Sequence, residues 1–186
     1  MPDTGTQKNG LVQASNGSWY LYSNDEIQSS YTGLYCDTNV GWWYVKNGAV
    51  NFDYNGLIQN DSGWWCVAGG RVCFDYSGLW SDPYVGWWYV ENGAINFNYN
   101  GLIQNDSGWW CVVGGCVCFD YSGLWSDPYV GWWYVENGAI NFGYTGLVQN
   151  EAGWWYVVNG QLDFGYTGTV NWNGATYRVV NGNVVF

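Results

Sequence analysis

The sequence predicts an all-β fold: a solenoid of stacked β-hairpins, about eight repeats of 22–23 residues. Three observations carry that expectation. Gly-Leu steps recur at Gly10, Gly33, Gly56, Gly78, Gly101, Gly123 and Gly146, with a degenerate copy at Gly168. Residues 56–100 and 101–145 differ at four of 45 positions, namely Ala68/Val113, Arg71/Cys116, Asn98/Gly143 and Asn100/Thr145. An Asn-Gly or Gly-Gly pair, the strongest two-residue hairpin signal, stands between alternating flanks in nearly every copy, and no helix-period pattern appears. A unit this short cannot enclose a core of its own, so copies must stack on neighbours.

Residues 1–9 read as a leader or linker and 10–186 as the solenoid, with atypical first and last repeats as caps. Around Asn92-Gly93 the flanks pair Val90 with Ile95, Tyr89 with Asn96, Trp88 with Phe97 and Trp87 with Asn98, giving one apolar and one mixed face. Stretches such as NYNGLIQNDSG, rich in Gly and Asn, read as connectors, with the leucine of each Gly-Leu step plugging the hollow between hairpins.

The Trp-Trp doublet divides into two roles. The second position is aromatic in all eight copies, reaching Trp19 in the first and Tyr177 in the last. The first position becomes Ser18 and Thr176 at the ends. A residue needed inside every hairpin persists at the ends, whereas one that needs a neighbour or ligand on both sides need not. The second Trp therefore reads as structural. The first Trp, with the adjacent Tyr, reads as ligand contact: Trp42, Tyr44, Trp64, Trp87, Tyr89, Trp109, Trp132, Tyr134, Trp154 and Tyr156. Packing between units is the alternative for the first Trp. Cysteine stands at the Tyr place in two copies, Cys66 and Cys111, so those sites are expected to be weaker. Trp80, Tyr84, Trp125 and Tyr129, in the longer connectors, are the fallback surface.

Counting outward from Gly69-Gly70 and Gly114-Gly115 sets Cys66 opposite Cys73 and Cys111 opposite Cys118, within disulfide reach. Two cross-strand bridges are expected, each at a hydrogen-bonded pair where backbones lie farther apart. Buried thiols are the alternative; Cys36 and Cys116 are left over. Three thiols in a chain with no histidine do not make a zinc site.

A net charge of −11 with four basic residues excludes nucleic acid as a partner, because phosphates need lysine and arginine. No stretch is long enough to insert in a membrane, and no signal-peptide pattern precedes the first repeat; Met1-Pro2-Asp3 reads as an engineered start or as the edge of a domain cut from a larger chain. An acidic surface with 22% aromatic residues suits a cationic or sugar ligand, and no cofactor is implied.

The run GWWYVENGAINF followed by NYNGLIQN resembles the cell-wall-binding repeats of Gram-positive surface proteins, over about residues 10–186. That group includes the choline-binding modules, the glucan-binding repeats of glucosyltransferases and the C-terminal repeats of large clostridial toxins. The resemblance implies stacked hairpins without catalytic activity, which hold choline, wall polymers or host glycans in shallow aromatic sites. It also implies a secreted or bacterial-surface location. The choline-binding pattern has a Gly-Trp step, here Gly-Leu (Leu34, Leu57, Leu79, Leu102, Leu124, Leu147), so one cage wall is missing. Its Trp-Tyr-Tyr run matches Trp43-Tyr44-Val45 and Trp88-Tyr89-Val90, and points at the second Trp as a cage residue, against the periodicity argument.

The leading expectation is a non-catalytic module attaching a secreted bacterial protein to a surface polysaccharide or glycan, with choline or teichoic acid second. A homo-oligomer stays open as a further partner. Recurrent carboxylates (Asp61, Asp82, Asp106, Asp127) follow the repeat instead of breaking its symmetry, which argues against a glycosidase. A calcium-stiffened spacer is the third reading, but NDSG lacks the ligand density of a calcium loop.

Overall fold

A computed structural model describes residues 7–186. It is all-β, with twenty-four strands and no helix among the described residues. The chain divides into two compact units, Met1–Ile95 and Asn96–Phe186. Each is a short solenoid of stacked hairpin repeats, and each repeat contributes three antiparallel strands.

In the first unit the repeats run Gly10–Gln13, Trp19–Ser23, Glu26–Ile27; then Gly33–Asp37, Gly41–Lys46, Ala49–Val50; then Gly56–Asn60, Gly63–Ala68, Arg71–Val72; then Gly78–Asp82, Gly86–Glu91, Ala94–Ile95. The second unit repeats the scheme from Gly101–Asn105 to Asn183–Val185. The long antiparallel ladder is not the one around Asn-Gly. It joins the Gly-Leu strand to the Trp-Trp strand, as in Leu79↔Tyr89, Trp80↔Trp88 and Ser81↔Trp87. The stretch expected as a connector is thus a five-residue strand. Glycine and asparagine are concentrated at its edges, and its interior (Leu-Ile-Gln, Leu-Trp-Ser) alternates as a strand should. Around Asn92-Gly93 only Val90↔Ile95 and Glu91↔Ala94 pair as strands.

Within each unit the short third strand of a repeat also reaches the repeat before it. Ala49 pairs with Tyr20, Arg71 with Trp43 and Ala94 with Trp65. The turn carbonyls complete the joint: Tyr44 N–H donates to Gly70 O at 2.7 Å and Cys66 N–H to Gly93 O at 2.8 Å. In the second unit Cys111 N–H donates to Gly138 O at 2.8 Å in the same way. Stacking within each unit therefore uses backbone hydrogen bonds as well as apolar contact, and neighbouring copies satisfy one another's orphan donors.

The core is a column of valines, Val45, Val67 and Val90 in the first unit and Val112, Val135, Val157 and Val179 in the second, all fully buried. The leucines of the Gly-Leu steps lie beside them, from Leu11 to Leu147, all buried as expected.

All six cysteines are free thiols, so the expected Cys66–Cys73 and Cys111–Cys118 bridges are not formed. The register argument holds only on one side. Cys73 N–H donates to Cys66 O at 2.9 Å, but Cys66 N–H turns to Gly93 of the next repeat. The short strand ends at Val72, and Cys73 leaves the ladder there. The Cys73 and Cys118 thiols instead donate to the carbonyl oxygens of Arg71 and Cys116, each at 3.6 Å. Cys36 is exposed, opposite Trp42, and Cys116 pairs with Val113.

The expected leader mostly lies outside the described residues. Gln7, Lys8 and Asn9 bond to the first turn, with Lys8 N–H donating to Asp25 Oδ1 at 2.8 Å.

Candidate functional site

The second Trp of each doublet is held by its indole N–H. Where the hairpin loop has two residues, an asparagine accepts it: Trp65 to Asn60, Trp110 to Asn105 and Trp155 to Asn150, each at 3.0 Å. Where the loop has three residues, a backbone carbonyl accepts it: Trp43 to Val40 and Trp133 to Val130 at 2.8 Å, and Trp88 to Val85 at 2.7 Å. A phenylalanine nine residues on packs edge-to-face against it. The centroids are 5.4 Å apart for Trp43–Phe52, 5.5 Å for Trp65–Phe74 and 5.4 Å for Trp133–Phe142. These phenylalanines stay about half exposed.

That fixed Trp-Phe corner becomes a pocket when the first Trp of the preceding repeat closes the third side. Trp19, Val40, Trp43, Val50 and Phe52, with Leu11, line a cavity of about 240 Å³. Trp42, Ser62, Trp65, Val72 and Phe74 line one of about 150 Å³. In the second unit Trp109, Val130, Trp133, Ile140 and Phe142 line one of about 300 Å³. Trp64, Val85 and Trp88 pack on one cluster with Ile95, so the same residue types meet one repeat later.

The first Trp is therefore a pocket wall at Trp42 and Trp109, and its partner is the second Trp of the next copy. Periodicity reads that partner as structural, whereas the family resemblance points at it as a cage residue. Trp43, Trp65 and Trp133 are both anchored in the hairpin and exposed on the pocket side. Phe52, Phe74 and Phe142 were not anticipated as walls. Their recurrence nine residues after the second Trp was the available signal.

The tyrosines expected beside the first Trp lie elsewhere. Tyr44 is buried in the core with Leu34, Val67 and Val72, its ring 4.2 Å from that of Tyr54. Tyr134 and Tyr156 take matching places, 4.1 Å from Tyr144 and 4.6 Å from Tyr166. The ladder puts this residue opposite the Gly-Leu leucine, on the core side of the strand. Burial pushes the Tyr89 and Tyr134 hydroxyls above their ordinary value, helped by Glu91 and Glu136 respectively. None of the three pockets includes a tyrosine.

The first copy also differs from the expectation. Tyr20 faces Ala49 as Trp43 faces Arg71, so Tyr20 holds the second place and Trp19 the first. The cause is a three-residue loop, Ser15-Asn16-Gly17, closed by Ala14 N–H to Ser18 O at 2.8 Å, which makes Ser18 the counterpart of Gly41. The first Trp is thus lost only in the last copy, at Thr176.

Of the remaining candidates, Trp87 is 38% exposed, opposite Ser81. Trp132 packs near Trp155, and Trp154 near Tyr177. Trp80 and Trp125 belong to the core, with buried indole nitrogens lacking a hydrogen-bond partner and rings edge-on to Tyr76 and Tyr121 at 5.3 and 5.4 Å. Tyr84 and Tyr129 stand almost wholly in solvent.

Aromatic cages formed between successive hairpins define a class of repeat-built binding modules. The chain belongs to the choline-binding repeat family, whose sequence profile matches residues 7–24, 30–51, 53–73, 75–96, 98–118, 120–141 and 143–163. No curated protein matches the sequence. Among solved structures it is similar to choline binding protein F from Streptococcus pneumoniae, at 21% identity and a TM-score of 0.35. That match covers 96% of this chain and 58% of the other, so the chain spans little more than half of that relative. The same protein, crystallised with a tetrasaccharide-pentapeptide peptidoglycan analogue, matches at 18% identity and TM-score 0.34, over 90% of this chain and 70% of the other. An alternansucrase in complex with isomaltononaose matches at 16% identity and TM-score 0.40, over 97% of this chain and 15% of that enzyme.

Proposed function

We propose that the chain is a non-catalytic module that attaches a secreted bacterial protein to a surface polymer by holding quaternary ammonium groups, of which choline is the type, in its Trp-Trp-Phe pockets. The observation that carries this reading is the lining of the Trp109 pocket: Val130, Trp133, Ile140 and Phe142, with no hydroxyl, amide or charged side chain. A sugar needs several directed hydrogen bonds to offset its lost hydration, and this cavity offers no hydroxyl, amide or charged side chain to make them, the Trp133 N–H being taken by Val130 O. A trimethylammonium group needs only ring faces and gains from their quadrupoles. The chain's net charge of −11 favours a cation further. The order expected from sequence, sugar before choline, is therefore reversed here. The wall missing from the Gly-Trp step is supplied by the first Trp of the doublet.

Two desolvated cation–π contacts of about 2 kcal/mol each correspond to a Kd of about 1 mM per site. Weak sites repeated along a solenoid gain through avidity on a polymer. Calorimetry with choline chloride and with its neutral isostere 3,3-dimethylbutan-1-ol tests the reading. Choline is expected to bind at least about tenfold more tightly. Equal affinities, or choline binding unaffected by Trp133→Ala, would overturn it.

A further inference from the structure

Resting on that reading, we propose that Tyr84 and Tyr129 are saccharide-stacking platforms beside the valine-walled cages, so that these two sites take a quaternary ammonium carried on a sugar in preference to free choline. Both rings are nearly naked, 95% and 94% exposed. Their backbones, by contrast, are among the most tightly held in the loops. Asp82 Oδ1 accepts the N–H of Tyr84 at 2.8 Å and of Val85 at 3.1 Å. Asp127 repeats both bonds with Tyr129 and Val130, at 2.8 and 3.1 Å. The preceding Pro83 and Pro128 fix one backbone dihedral each. Packing within the hairpin makes no use of either phenol, yet the backbone that carries it is pinned. That combination describes a preorganised contact surface, since a ligand stacking there orders little more than two side-chain torsions.

The platform is coupled to the cage by the chain itself. Val130 is a wall of the Trp109–Trp133–Phe142 cavity, and the Tyr129 Cα is one peptide unit, about 3.8 Å, away. Val85 stands likewise beside Trp64 and Trp88, one residue after Tyr84. A trimethylammonium group seated in such a cage has one substituent left, which must leave through the mouth. A pyranose on that substituent presents a C–H face, for which a flat, exposed phenol is a matched partner. The other two cages lack the feature: Asn39 precedes Val40 in the first, and Asp61 precedes Ser62 in the second.

Calorimetric titration of the full chain with two monovalent ligands, choline chloride and 2-(trimethylammonio)ethyl β-glucoside, tests the proposal free of avidity. The glucoside is expected to show a class of sites about fivefold tighter than choline does. In the Tyr84→Ala/Tyr129→Ala variant that class should disappear while choline binding stays the same. The Tyr84→Phe/Tyr129→Phe variant should keep it, because stacking needs the ring and not the hydroxyl. Choline binding without any preference for the glucoside in the unaltered chain overturns this proposal alone. So does a preference that survives both alanines, or a loss of choline and glucoside affinity together. Absence of choline binding by the unaltered chain overturns the cage reading, and this one with it.

Discussion

Asp82 Oδ2 accepts the backbone N–H of Leu57, 25 residues upstream, at 2.8 Å. Its other oxygen holds the Tyr84 and Val85 N–H groups of its own loop. One buried carboxylate thus joins two repeats and shapes the loop that supplies a cage wall. Asp37 and Asp127 do the same for Leu11 and Leu102. Truncation to Ala would leave three donors unmet, at least one of them buried. Asp82→Ala is expected to cost about 2–4 kcal/mol in denaturant unfolding, and Asp82→Asn, which keeps an acceptor, distinctly less. A loss under about 0.5 kcal/mol would show that water replaces the carboxylate.

How much of this was legible beforehand follows from what periodicity can report. The repeat, the Asn-Gly turns and the buried leucines were readable, because each depends on local chain chemistry. The cage was not, because its walls come from two copies. Only the stacking register tells that Trp42 faces Trp65 and Phe74 instead of its own neighbour Tyr44. The end-copy argument failed at Trp19 for a related reason. A shift of one residue in the Ser15-Asn16-Gly17 loop exchanges the two faces of a strand, and no composition signal marks it. The latch at Asp82 was visible only as a recurring acidic residue, since its partner is a backbone N–H 25 positions away.

Asp37 makes stability depend on pH. Burial opposes its ionisation, but three backbone donors, Leu11, Asn39 and Val40, outweigh that and hold its carboxyl below its ordinary value of 3.8. A lowered folded value means the stabilisation is complete above 3.8 and is lost as pH falls through the folded value. Urea unfolding is expected to be flat in this contribution from neutrality down to about pH 5, then to weaken below about pH 4. Asp37→Asn should remove that part of the acid slope.

The thiols are expected to differ sharply in reactivity. Burial pushes the Cys111 thiol up to about 12, with Cys118 beside it adding to the effect, and Cys66 moves in the same direction with Cys73. The reactive species is the thiolate, so these two should resist alkylation in the folded chain while exposed Cys36 labels first. Peptide mapping after iodoacetamide, with and without denaturant, checks the order. Folded-state labelling of Cys66 at the rate of Cys36 would contradict the burial.

Gly138 and Gly131 separate two reasons for glycine in one hairpin. Both have positive φ, 81° and 92°. Around Gly131 an added Cβ meets nothing within 4 Å, whereas at Gly138 it meets the carbonyl oxygen of Cys118 at 2.6 Å. That carbonyl is backbone, and Gly138 also donates its N–H to Tyr121 O and accepts from Cys111 N–H, so neither side can yield without loosening the joint between repeats. Gly131→Ala should therefore cost only the conformational penalty, about 1–2 kcal/mol. Gly138→Ala should cost at least about 1 kcal/mol more, the approximate net worth of one inter-repeat hydrogen bond. Thermal unfolding of the two variants side by side checks this. Equal losses would mean that the stacked turns carry enough slack to absorb a methyl group, and that the close approach of Gly138 to Cys118 does not hold the repeats in register.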